Sequence, residues 1–101
     1  MHIERYSERL REFFKEFKDG EEFKGTVIGS IWCNNPRVVS RTVLKEPLIY
    51  YTPFGISLTS DDNRIDVDFR NVSNCNSLSD DDIDFEYSNK DFQMGVVMIP
   101  Y

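Results

Sequence analysis

The sequence contains no alanine, one histidine, one tryptophan and two cysteines among 101 residues. Alanine is the strongest helix former, so its absence, beside eight valines and eight isoleucines, tilts the composition towards strand. The longest apolar run, Gly95 to Tyr101, is far too short to cross a bilayer. The first residues, Met1-His2-Ile3-Glu4-Arg5-Tyr6, carry charge where an export signal has an apolar core, so the expected compartment is the cytoplasm. In that reducing setting Cys33 and Cys75 are read as two separate thiols.

Scarcity also limits the chemistry. A serine or cysteine nucleophile needs a base, and the one imidazole, His2, lies at the start of the chain. Two solitary cysteines and one histidine do not make a four-ligand zinc set. The five glycines are scattered through strand and turn contexts and form no phosphate-cradling loop. Asp80, Asp82, Asp84, Glu86 and Asp91 have the alternation of a calcium loop. Phe85 stands where that loop needs glycine, however, and flanking helices are missing. The expectation is a protein that is not an enzyme and uses neither cofactor nor metal.

What the chain has is acid, unevenly placed. Net charge is -6 and the pI about 4.7, which argues against binding nucleic acid by neutralising phosphates. Residues 1–45 hold nine Lys/Arg and seven Asp/Glu, whereas residues 46–101 hold three and eleven. Such asymmetry points to a charged partner rather than to a fold.

Ile3, Tyr6, Leu10, Phe13, Phe14 and Phe17 recur at steps of three and four, which predicts an amphipathic helix over about residues 3–18, with Gly20 as its left-handed stop. From Phe23 the period changes to two. Strands are expected over Phe23–Cys33, Arg37–Leu44, Leu48–Thr52, Ile56–Thr59, Arg64–Val72, Ile83–Tyr87 and Gln93–Ile99. Asn34-Asn35-Pro36 reads as a turn, Ser73–Ser79 as a polar loop, and Ser88-Asn89-Lys90-Asp91 as the lead into the last strand. Ser79-Asp80-Asp81-Asp82 also resembles a helix start, but the two-residue spacing of Ile83, Phe85 and Tyr87 favours strand. These readings give one α+β domain over residues 1–101. Its N-terminal helix would pack on a mostly antiparallel sheet, or a half-open small barrel, of about five to seven strands between residues 23 and 99.

In a strand, residues two apart project from one side, about 6.6–6.8 Å from each other. Asp66 and Asp68 are therefore expected together, and likewise Asp82, Asp84 and Glu86, with Asp80 and Asp81 at a strand end. Like charges side by side repel. A row of acids with no interspersed lysine therefore reads as a binding surface for a basic protein, with Tyr87, Tyr50, Tyr51 or Phe54 as anchors beside it. Trp32 is expected in the core.

The functional expectation is a small inhibitor that binds protein and fills the basic nucleic-acid groove of a nuclease by acidic mimicry. In size, acidity and lack of catalytic motifs the chain resembles, in type, phage-encoded anti-defence proteins such as anti-CRISPR and anti-restriction DNA mimics; no residue carries over from them. The alternatives are an immunity protein or antitoxin for a cationic toxin, and a structural or assembly protein that self-associates, as a homodimer for instance, through a sheet edge or the helix.

Overall fold

A computed structural model describes residues 2–33, 37–89 and 92–101. The expected turn at Asn34-Asn35-Pro36 and the Lys90-Asp91 connection lie outside the described residues. Helix α1 (His2–Phe14) is followed by β1 (Glu21–Glu22), β2 (Gly25–Cys33), β3 (Arg37–Lys45), β4 (Leu48–Thr52), β5 (Gly55–Ser60) and β6 (Asn63–Asp68). A single 3-10 turn (Phe69–Asn71) leads to β7 (Val72–Leu78), β8 (Ile83–Asn89) and β9 (Phe92–Pro100).

The expected helix-on-sheet α+β architecture is not what forms. Among the described residues strand accounts for 64% and the helix for 14%, and the strands make two antiparallel sheets with no closed barrel. One sheet has the order β1-β4-β5-β6 and the other β3-β2-β9-β8-β7. Both contribute to one core, in which Ile49, Ile56, Leu58 and Val67 of the first sheet join Val27, Ile83, Phe85 and Met98 of the second. Alternation along each strand turns its apolar set into that shared layer.

The helix covers neither outer face. It packs against β7 and the 3-10 turn, and so closes one side of the sandwich. Leu10 and Phe14 are fully buried there, and the Phe14 ring stacks on Phe69 at 5.9 Å between centroids and meets Phe85 edge-on at 6.4 Å. The helix stops at Phe14, short of the predicted residue 18, and the chain tightens there into a turn in which the Phe17 amide donates to the Phe14 carbonyl at 3.1 Å. The one hydroxyl proton of Tyr51 on β4 is shared between the carbonyls of Phe14 and Phe17, and Asp19 accepts the Tyr51 amide at 2.7 Å. Gly20 does take a left-handed φ of 84°, but it turns the chain into β1 instead of capping the helix.

Six of the seven expected strands recur, Leu48–Thr52 with the same ends and the others with ends shifted by no more than two residues. The seventh, Arg64–Val72, is cut at Asp68 by the 3-10 turn, whose start is capped by the Asp68 carboxylate on the Arg70 amide. That turn carries the chain from the first sheet into the second. The expected polar loop at 73–79 is mostly strand β7, and its register slips twice, between Val72 and Asn74 and between Cys75 and Ser77.

Ser79 settles the ambiguity ahead of β8. Its hydroxyl accepts the amides of Asp81 and Asp82, as a helix cap would, yet the chain goes directly into strand at Ile83.

Candidate functional site

The acids expected as one surface occupy two sheets and two electrostatic settings. Asp66 and Asp68 lie on the outer face of β6 in the four-stranded sheet. Asp66 accepts the Ser57 hydroxyl at 2.8 Å and pairs with Arg64 at 3.2 Å. Asp68 takes the Arg70 guanidinium in a two-pronged contact, Nε to Oδ1 at 3.0 Å and Nη2 to Oδ2 at 2.7 Å. The Arg70 hydrogen bonds hold the Asp68 carboxyl below its ordinary range against the opposing effect of partial burial. Arg70 also lies over the Phe54 ring, 3.6 Å from its centroid. Asp66 and Asp68 are thus each matched by an arginine two residues away in sequence.

The second group is different. Asp80, Asp81 and Asp82 form the β7–β8 turn, and Asp84 and Glu86 continue from it along the outer face of β8 in the five-stranded sheet. Their partners are neutral. Ser77 and Ser79 donate to Asp82 at 2.6 and 3.3 Å, Asn76 to Asp84 at 3.4 Å, and Asn74 to Glu86 at 3.2 Å. Among the described residues no lysine or arginine pairs with any of the five. These acids remain a bare negative edge.

The expected aromatic anchors are not beside that edge. Tyr87 faces the core, only 3% exposed, and its hydroxyl donates to the Asp66 carbonyl at 2.7 Å. Burial, with the Asp66 carboxylate adding to it, pushes the Tyr87 phenol above its ordinary value. Tyr51 ties down the helix end. Tyr50 and Phe54 are exposed, but they belong to β4 and the β4–β5 turn of the other sheet.

What does flank the bare acids is apolar. Cross-strand pairing places Asp84, Val97, Ile28 and Val43 in one row over β8, β9, β2 and β3, all on the outer face. The next row holds Glu86, Gly95, Ser30 and Arg41. Val43 is 48% exposed, and Ile99, which shares this face, is 45% exposed. Trp32 belongs here too and not in the core. A side chain built at Gly95 would come within 2.9 Å of the indole, so glycine is the residue that lets the ring lie across β9. The readable signal is that Val27-Ile28, Ile31-Trp32 and Val96-Val97 put apolar residues on both faces of their strands.

A cleft of about 740 Å³ opens along the unpaired edge of β6, lined by Ile65, Asp66, Val67, Tyr87 and Met94 among others. Its carboxylates are those already held by Arg64 and Arg70. Cys33 and Cys75 are half-buried free thiols, and burial pushes Cys75 up, away from thiolate character. Among the described residues no three His, Cys, Asp or Glu side chains converge as a metal set, and no helix is long and apolar enough to cross a membrane. Comparison with protein-family models, curated proteins and solved structures finds no match.

Proposed function

We propose that the protein is a small non-enzymatic inhibitor whose five-stranded sheet docks a basic protein, its acidic edge entering a groove built for nucleic acid. The observation that supports this most is the contrast in pairing. Asp66 and Asp68 are paired with their own arginines, while among the described residues Asp82, Asp84 and Glu86 hold only serine and asparagine donors and none of Asp80 to Glu86 pairs with a cation. Carboxylates left without cations cost stability through mutual repulsion, and they raise the rate of encounter with a positive surface. Val97, Ile28 and Val43 continue the same face and supply the apolar contact that charge alone lacks. Docking uses the sheet, and the partner is a cationic nucleic-acid enzyme of the kind that phage anti-defence proteins block.

The test is capture from nuclease-treated lysate, followed by affinity measurement on the purified captured protein. Asp82→Lys, Asp84→Lys and Glu86→Lys together should abolish binding, raised salt should weaken the native complex, and duplex DNA should compete. Equal affinity of native and reversed proteins at both salt concentrations would reject the reading.

A further inference from the structure

We infer that the outer face of the five-stranded sheet pairs with the same face of a second copy of this chain, in an isologous dimer whose two-fold axis runs along the strands between β9 and β2. The inner faces of both sheets meet in the core, and the helix closes the side at β7. The outer face of the five-stranded sheet keeps Val97, Ile28, Val43, Ile99 and Trp32 within one patch. Grouped apolar side chains of this kind mark contact surfaces.

Charge says what the contact is. Asp84 and Glu86 stand on β8, on one flank of the apolar stripe, and Arg41 and Lys45 stand exposed on β3, on the other flank. None of the four has an ion-pair partner among the described residues. In the order β8-β9-β2-β3 the midpoint lies between β9 and β2, with the acids one and a half strands to one side and the bases equally far to the other. β8 and β3 are roughly 14 Å apart at ordinary strand spacing.

A two-fold axis parallel to the strands, set over that midpoint, exchanges left and right while keeping each row in place. It therefore lays the β8 flank of one copy over the β3 flank of the other. Glu86 and Arg41 share a row, so each Glu86 meets the partner's Arg41, and by symmetry the pair forms twice. The β9 and β2 residues Val97 and Ile28 of the two copies meet across the axis. Sheets stacked face to face lie about 10 Å apart, a gap these side chains span.

The size of the face sets the strength. From β8 to β3 and from Thr26 to Trp32 it measures roughly 20 by 20–25 Å at ordinary strand spacing and rise, or about 400–500 Å² per copy. A standard stable interface buries about 800 Å² per partner, so this dimer forms reversibly and depends on concentration. The inference stands apart from the inhibitor reading, since it needs no second protein. The two share Asp84 and Glu86, and self-association therefore competes with a docked partner for one face.

The experiment is sedimentation of the purified full chain, alone, from micromolar to near-millimolar concentration at low and high salt, with circular dichroism confirming the fold of each variant. The native protein should pass from monomer to dimer, at lower concentration when salt is low. Arg41→Glu alone and Glu86→Arg alone should each weaken dimerisation by about tenfold or more, because each sets like charges against one another twice. Arg41→Glu with Glu86→Arg in one chain should restore it, since the pair is re-formed with its signs exchanged. Val43→Asp, at a position already half exposed, should abolish it. A monomer throughout the range, or a dimer that Val43→Asp leaves intact, or a double variant no better than either single, would overturn the inference.

Discussion

The two sheets share a core and differ on their outer faces. On the four-stranded sheet Asp66 meets Arg64, Asp68 meets Arg70, and Arg70 lies against Phe54, so the charges of β6 are paired within the chain. On the five-stranded sheet Asp84 and Glu86 stand on one flank of the outer face and Arg41 and Lys45 on the other, with apolar side chains between them. A folded chain gains little from leaving matched charges apart when pairing them takes only a residue two positions away. The β6 pairs form within the chain, whereas the acids of β8 and the bases of β3 stay apart.

The largest effect should come from the layer both sheets share. Phe85→Ala removes a fully buried ring packed against Phe14 and Tyr87, and should cost about 3–5 kcal/mol by denaturant titration, unfolding both sheets in one transition. Gly95→Val should come next, at about 1–3 kcal/mol, because the indole of Trp32 must leave its seat. As the sole tryptophan, Trp32 should report the change as a red shift in fluorescence. Tyr87→Phe deletes the hydrogen bond that ties β8 to β6 across the core and should cost about 1 kcal/mol. The native phenol titrates above the unfolded one, so native stability is level below about pH 10 and falls as pH rises beyond it. The Phe variant should lose that alkaline slope.

Smaller effects sharpen the contrast between the outer faces. Asp68→Asn on the four-stranded sheet should cost under about 1 kcal/mol, since the pair is partly open to solvent. The native Asp68 carboxyl titrates below its ordinary 3.8, so its contribution is complete above that value and is lost as pH falls through the lowered one. Acid titration of native and variant should converge at the lowest pH. On the five-stranded sheet, Asp84→Lys with Glu86→Lys should move stability by no more than about 0.5 kcal/mol, because no cation is lost. A loss as large as that of a core substitution would show that these acids serve the fold.

Much of the local structure is legible in the sequence. Period-two apolar spacing in Ile83, Phe85 and Tyr87 or in Ile65 and Val67 marks strands because each turns one face inward. β7 escapes because Val72-Ser73-Asn74-Cys75-Asn76-Ser77-Leu78 is polar and its two register slips erase alternation. The layering escapes for another reason. Alternation tells which side of a strand is buried, not which sheet the strand joins, and β6 and β7 part company at a three-residue turn. The pairing of Arg64 with Asp66 was present in the sequence, since residues two apart share a strand face, whereas Asp68 meets Arg70 through the 3-10 turn that follows β6. The apolar patch is hidden by arithmetic of another kind, for Ile28, Val43 and Val97 look like core residues until the register shows them outside.

The most direct measurement is a backbone amide chemical-shift map of the labelled chain titrated with its captured basic partner. Perturbations gathered on Asp80 to Glu86 and across Ile28, Val43 and Val97, with the β6 amides silent, are the predicted result. Perturbations centred on Arg64 to Arg70 instead would mean that the partner binds the face the chain has already neutralised, and would contradict the account.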